Sequence, residues 1–301
     1  MLNIGEIIKV YRIERGISQE ELAYGICSTS NLSRIESGEQ NPTRATYEAI
    51  MQRMGLDSSI YPSFLNEEEV EIQNLKHDIN EHISWGMFEK AEEIVNKLES
   101  KPRLGKTHKT FVLFVRAIIA RNTGATPEEV LDSMKEVVNS SIKNFKANKI
   151  LNCLLTKNEI SMLNNLAISY YKAGQEDEAI EVAYAAKEYI EKKVVDHEGI
   201  AGMYLIILYN LSKWIGLKGK HHEVIELCDM AIKRCKRYGK HTSLAGLLLN
   251  KGCALTMLNQ REEAKKLLEE AYYSFRAVGE MAGCESVKKF ADKHDISIVN
   301  P

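Results

Sequence analysis

Two sets of polar side chains in this sequence have types and spacings that could do chemistry. The first lies within SQEELAYGICSTSNLSRIESG, residues 18–38. Thr29, Ser30 and Arg34 stand at i, i+1 and i+5, on the outer side of a helix whose Leu32 and Ile35 turn inward. An arginine so placed can donate two hydrogen bonds to the O6/N7 edge of a guanine, and hydroxyls can bond several base edges. Gln19 opens the preceding helix, where free backbone N–H groups and an amide side chain can hold a phosphate oxygen. The second set is Asn165, Asn210 and Asn250, each two residues before a small residue (Ala167, Ser212, Gly252). An asparagine side chain donates and accepts at once, so three in register could clamp the unpaired amides of an extended peptide. Tyr171, Tyr209 and Trp214 lie close by and could shape pockets for its side chains.

The elements that must position the first set are short helices separated by Gly5, Gly16, Gly38, Pro42 and Gly55. Ile4, Ile7, Ile8 and Tyr11 follow the spacing of an amphipathic helix that Gly16 ends. Ser18 with Glu21 forms a capping box for a second helix through Leu22 and Ala23. A third helix runs from about Ser28 to Gly38, and a fourth starts at Asn41-Pro42-Thr43 with Tyr47, Ile50, Met51 and Met54 inward. Residues 57–66 read as a short fifth helix or turn leading into a linker.

From residue 67 the pattern changes to long amphipathic helices with short turns, and it repeats. LNNLAISYYKAGQEDEAIEVAYAAKEYI (163–190) aligns with LYNLSKWIGLKGKHHEVIELCDMAIKRC (208–235), and LNKGCALTMLNQREEAKKLLEEAYYSF (249–275) follows in nearly the same register. Each has its small residue (Ala167, Ser212, Gly252), a larger one three residues on (Tyr170, Ile215, Leu255) and a turn at Gly174, Gly219 or Asn259. Earlier units fit over 75–98, with a turn at Gly86, and 107–143, with a turn at Gly124. This pattern resembles the tetratricopeptide repeat, a helix hairpin of about 34 residues. The spacing of 45 and then 40 residues between the small positions lengthens the helices relative to that consensus.

Residues 4–56 resemble the repressor-type (Xre/Cro-like) helix-turn-helix family through SQEELA and LSRIESG. The resemblance implies a second helix across the phosphate backbone and a third in the major groove. It makes Gln19 the backbone-contacting glutamine and Thr29, Ser30 and Arg34 the base-reading positions. Ser28 and Asn31 join them as neighbours, and Thr43 and Arg44 resemble a second phosphate clamp. Arg12 and Glu36 match an ion pair of some such domains. Leu22 and Leu32 are ten apart where eleven is usual, and Cys27-Ser28 stands where a glycine-containing turn is common. A helix-turn-helix followed by such repeats resembles the peptide-pheromone receptors of Gram-positive bacteria, the RRNPP group, and its PlcR-type branch shares the shortened turn. That resemblance implies a short peptide on the concave face of the repeats controlling a homodimer on a palindromic operator. Asn164 matches the family's peptide-holding asparagine slightly better than Asn165, and Lys172 or Lys213 could complement a peptide carboxylate.

The expected fold is all-α: a five-helix domain over 1–66, then a right-handed superhelix of about five hairpins and a C-terminal helix over 67–301. Five prolines and 18 glycines in 301 residues leave the long uninterrupted stretches this requires. Residues 1–66 carry six basic and eight acidic residues, a net −2, so one copy would neutralise few phosphates and a dimer is the natural remedy. The longest apolar runs fall short of the ~20 residues that span a bilayer. With no charged segment leading into an apolar run at the N-terminus, the expected location is the cytoplasm. Six cysteines without a CxxC pair point to reduced core thiols rather than a metal site. His221-His222-Glu223 reads as a solvated loop, and no phosphate loop, GxSxG or HExxH is present, so neither cofactor nor enzyme activity is expected. The alternative reading is a repeat protein that binds a regulatory protein, with DNA binding secondary.

Overall fold

Apolar residues at helical spacing, punctuated by left-handed turns, produce fifteen α-helices among the residues that the computed structural model describes: 4–56, 67–102, 104–194, 199–239 and 243–298. No strand occurs among them. The chain divides into two compact units, Met1–Ala185 with Lys192–Asp196, and Ala186–Glu191 with His197–Pro301.

The first unit begins with α1 (Ile4–Glu14), α2 (Gln19–Ala23), α3 (Thr29–Glu36) and α4 (Arg44–Arg53). Side-chain caps set three of these starts. Ser18 accepts from the Glu21 N–H at 3.1 Å while Glu21 accepts from the Ser18 N–H at 3.3 Å, the expected capping box. Ser28 caps α3 by accepting from Asn31 N–H, and Thr43 caps α4 by accepting from Thr46 N–H. Each such cap contributes about 1 kcal/mol. Ile8, Leu22, Leu32, Ile35 and Ile50 close the core of this domain. The fifth helix expected over 57–66 lies outside the described residues.

The turn between α2 and α3 does contain a glycine, contrary to the expectation that Cys27-Ser28 replaces it. Gly25 has φ +74°, and a Cβ there would stand 2.5 Å from the Ser141 carbonyl oxygen. Its lack of a side chain serves both the left-handed backbone and the close approach of a distant helix end.

The same unit continues with α5 (Glu67–Ser84), α6 (Phe88–Glu99), α7 (Lys106–Asn122), α8 (Pro127–Ser141), α9 (Lys157–Lys172) and most of α10 (Glu176–Lys193). Residues 142–156 connect α8 to α9 through a 3₁₀ segment, Ala147–Asn152, which the repeat pattern does not foresee. The second unit holds α11 (Ala201–Leu217), α12 (His221–Tyr238), α13 (Leu244–Met257), α14 (Arg261–Ala277) and α15 (Met281–Lys293). Here His221 and His222 open α12, so the sequence reading of a loop is corrected.

The repeat grammar has a direct physical basis. Ala167 and Ser212 are fully buried, and a Cβ on the buried Gly252 would meet Leu268 at 3.0 Å. Small residues therefore stand where paired helices close up. The second helices bury Ala179/Ala183/Ala186, Val224/Cys228/Ala231 and Ala264/Leu268/Ala271. The turns at Gly86, Gly124, Gly174 and Gly219 all have positive φ, and Asn259 takes the same role at φ +61°.

Candidate nucleic-acid interface and amide ladder

In the helix-turn-helix, Ser28, Thr29, Ser30 and Arg34 are exposed, and Asn31 is half-buried. The Arg34 side chain is 57% exposed and its nearest carboxylate, Glu39, is 3.8 Å away. These groups are held on one helix by the inward anchors Leu32 and Ile35 and remain open to solvent. An arginine and two hydroxyls presented this way can read base edges.

Behind that face lies a polar triad. Arg12 donates from Nε to Glu36 Oε1 at 2.6 Å and from Nη2 to Oε2 at 2.9 Å, while its Nη1 donates to the Ile17 carbonyl at 2.9 Å. The Gln19 amide donates to Glu36 Oε2 at 2.8 Å. Burial of Glu36 works against its charge, yet the hydrogen bonds from Arg12 and Gln19 outweigh it and hold the carboxyl below its ordinary range. The Gln19 amide is thus fixed by the triad. Ser28 and Thr43 each use the side-chain oxygen as a cap, and Arg44 pairs with Glu48 at 2.6 Å. Their availability to phosphate differs accordingly: Thr43 is exposed, Arg44 partly covered.

A buried junction joins this domain to the repeats and is not visible in the sequence pattern. Arg53, at the end of α4, is 4% exposed. Its guanidinium pairs with Glu159 of α9 and donates to the Tyr24 carbonyl. Glu159 also accepts from Ser141 Oγ at 2.8 Å and from the Thr156 N–H at 2.7 Å. Around the junction the Tyr24 hydroxyl donates to the Asn139 carbonyl at 3.2 Å, and Lys143 pairs with Glu20 at 2.6 Å. Thr156-x-x-Glu159 is legible as a capping box, but its partnership with a residue 106 positions away is not.

The amides are largely engaged within the protein. Asn165 Oδ1 accepts from Arg121 at 3.0 Å and its Nδ2 donates to the Ser161 carbonyl at 3.0 Å, tying α9 to α7. Asn250 Nδ2 donates to the Tyr209 carbonyl at 3.2 Å and to Ser212 Oγ at 2.9 Å, tying α13 to α11. The Tyr209 ring lies against the backbone of Gly246, where a Cβ would collide with it. Asn164 is 5% exposed and, like Asn210 and Tyr171, already has partners. Trp214, at 4% exposure, belongs to the core rather than to an open pocket. Lys213 is exposed and, with Asn250, lines a cavity of about 550 Å³ formed by α11, α13 and α15.

The described residues contain no His/Cys/Asp/Glu group able to hold a metal, and no helix long and apolar enough to cross a membrane. All six cysteines are free, and burial pushes the Cys228 and Cys253 thiols up to about 12.

Comparison with known proteins gives the fold a context. Residues 8–60 match the helix-turn-helix family and residues 160–197 the tetratricopeptide repeat family. No curated protein sequence matches the chain. Among solved structures it is similar to Bacillus thuringiensis PlcR in complex with the peptide PapR7 and DNA. That match has a TM-score of 0.63 at 19% identity and covers 94% of this chain and 98% of the other. The apo form of the same protein gives 0.61 at 17% identity, covering 95% and 97%. ComR from S. thermophilus, in complex with DNA and its signalling peptide ComS, gives 0.50 at 12% identity, covering 98% and 100%. Residues 8–60 are therefore a helix-turn-helix and residues 160–197 a tetratricopeptide repeat, in an all-helical chain whose fold is similar to that of PlcR over 94% of its length.

Proposed function

We propose that this protein is a sequence-specific DNA-binding transcription regulator whose operator binding is controlled by a short signal peptide bound to the repeats. It acts in the cytoplasm as a homodimer on a palindromic site, and it is not an enzyme. The observation that carries this reading is the contrast within one helix: α3 keeps Thr29, Ser30 and Arg34 exposed while Leu32 and Ile35 lock it into the core. The similar fold of PlcR, solved with a peptide and DNA, supports joining the two activities in one chain. The Arg53–Glu159 junction supplies a physical link, because a ligand that shifts α9 would also bear on α4. Dimerisation compensates the weak charge of the N-terminal domain, whose Arg12 and Arg53 are already committed to carboxylates.

The test is selection of a binding site from randomised duplexes with the full-length protein, followed by gel shifts with and without candidate peptides. Enrichment of one palindromic sequence and a peptide-dependent change in its shift are expected. No enriched sequence would overturn the DNA-binding part; an enriched sequence indifferent to every peptide would overturn the control. That last result would favour the reading in which the repeats bind a regulatory protein, a reading that the net −2 of residues 1–66 already suits.

A further inference from the structure

The cavity between α11, α13 and α15 brings exposed apolar and cationic side chains together. Its apolar lining includes Leu217, Met257 and Phe290, and the first two are 66% and 50% exposed. Large apolar side chains left in water at one site favour an apolar occupant. Lys213 and Lys293 also line it, and no aspartate or glutamate does. Neither lysine has a carboxylate partner among the described residues; the neighbours Asp292 and Asp295 stand outside the lining. Elsewhere on the same unit a lysine is balanced: Lys251 pairs with Asp229 at 2.7 Å. At about 550 Å³ the space suits one or two bulky side chains.

One polar group on the wall has a fixed orientation. Both hydrogen bonds of Asn250 use Nδ2, donating to the Tyr209 carbonyl and to Ser212, so Oδ1 is left as an acceptor. The wall thus combines an apolar floor, two ammonium groups without a carboxylate partner and an amide oxygen, with the rings of His221 and His294 beside them. A simple hydrocarbon would use only part of this, and a free amino acid would set its own ammonium group beside the two lysines, where like charges repel. A peptide end uses all of it: a bulky apolar side chain in the cavity, its carboxylate beside the lysines, and a backbone N–H for Oδ1.

We infer that the α11–α13–α15 cavity seats the C-terminal residue of a short peptide, apolar in its side chain and recognised through its free α-carboxylate by Lys213 and Lys293. This rests on the proposed function for the ligand being a peptide, and it adds which end is read and by which residues. A side-chain carboxylate of Asp or Glu offers the same charge, so the test must separate the two sources.

Two degenerate hexapeptide pools, identical except for a free carboxylate or a carboxamide at the C-terminus, are passed over immobilised full-length protein, and retained peptides are read by mass spectrometry. The free-acid pool should be retained at least tenfold better, with Leu, Ile, Met or Phe enriched at the last position. For one retained peptide resynthesised singly, Lys213→Met with Lys293→Met should weaken binding about tenfold or more. Both lysines are exposed, and an unchanged melting curve verifies that the variant folds. Equal retention of the amide pool, enrichment of internal Asp or Glu in place of the free terminus, indifference to the two lysines, or no retention from either pool would each overturn the inference. A peptide that binds through the lysines but leaves the operator complex unchanged would instead overturn the proposed function alone. Peptide control of DNA binding that ignores amidation and both lysines would overturn only the cavity assignment.

Discussion

The outer face of α3 and the asparagine ladder of the repeats carry similar polar groups in opposite circumstances. On α3, Thr29, Ser30 and Arg34 stand in solvent, and the backbone is fixed by caps and by Leu32 and Ile35. In the repeats, Asn165 and Asn250 spend hydrogen bonds on Arg121, Tyr209 and Ser212, tying one helix to another. The first arrangement leaves its polar groups open to solvent, ready for a partner if one binds there; the second uses them to hold the scaffold. Equal spacing along a sequence does not distinguish these. Only the identity of the partner does, and Asn250 shows an intermediate case because one of its two polar atoms remains unspent.

The largest effect is expected at the junction between the helix-turn-helix and the repeats. Replacing Arg53 by Met leaves Glu159 buried beside Ser141 without its cation, at a cost of about 3–5 kcal/mol. Urea unfolding of Arg53→Met should show that loss, and Arg53→Met combined with Glu159→Met should recover most of it. A single variant as stable as the parent would mean that the pair does not hold the domain to the repeats.

A second effect concerns His108 of α7, whose pKa burial, helped by the charge of Lys76, lowers from 6.5 to about 4. A histidine with a depressed folded pKa binds its proton in the unfolded chain first. Stability is therefore full above about pH 6.5 and falls as pH drops toward 4, by roughly 3 kcal/mol in total. Chemical unfolding across that range should show the slope, and His108→Gln should flatten it. A parent and variant with parallel pH profiles would remove His108 as the cause.

Arg34→Ala should weaken binding to the selected operator by about 1–3 kcal/mol while leaving the melting curve in place, as befits an exposed group. Retained sequence preference would move the base-reading role elsewhere on α3. The smallest effect is expected for Asn250→Ala, about 1 kcal/mol of stability through the lost tie to Ser212, with a parallel loss of peptide affinity. If peptide binding falls with no change in stability, the amide belongs with the ready groups after all.

Much of the fold was legible because its signals are local. Gly174, Gly219 and Asn259 announce turns because a left-handed backbone favours those residues, and Ser18-x-x-Glu21 announces a helix start for an equally local reason. Ala167, Ser212 and Gly252 mark close helix approach wherever the repeat recurs. The Arg53–Glu159 pair was illegible, since two charged residues far apart in sequence look like any others on a solvated face until the fold brings them together. The glycine of the α2–α3 turn was misplaced for a related reason. Gly25 was visible, but what makes it necessary is the Ser141 backbone of α8, far along the chain. The candidate site divides the same way: exposure on α3 follows from helical periodicity, whereas the engagement of Gln19 with Glu36 and of Asn165 with Arg121 does not.

Coupling between a peptide site in the repeats and operator binding through α3 can be measured by fluorescence anisotropy on the whole chain. Operator Kd is measured with and without saturating peptide, and peptide Kd with and without saturating operator, at one fixed salt concentration. Both should change by the same factor, fivefold or more, because coupling free energy is reciprocal. Two factors of one, with both ligands bound, would contradict it.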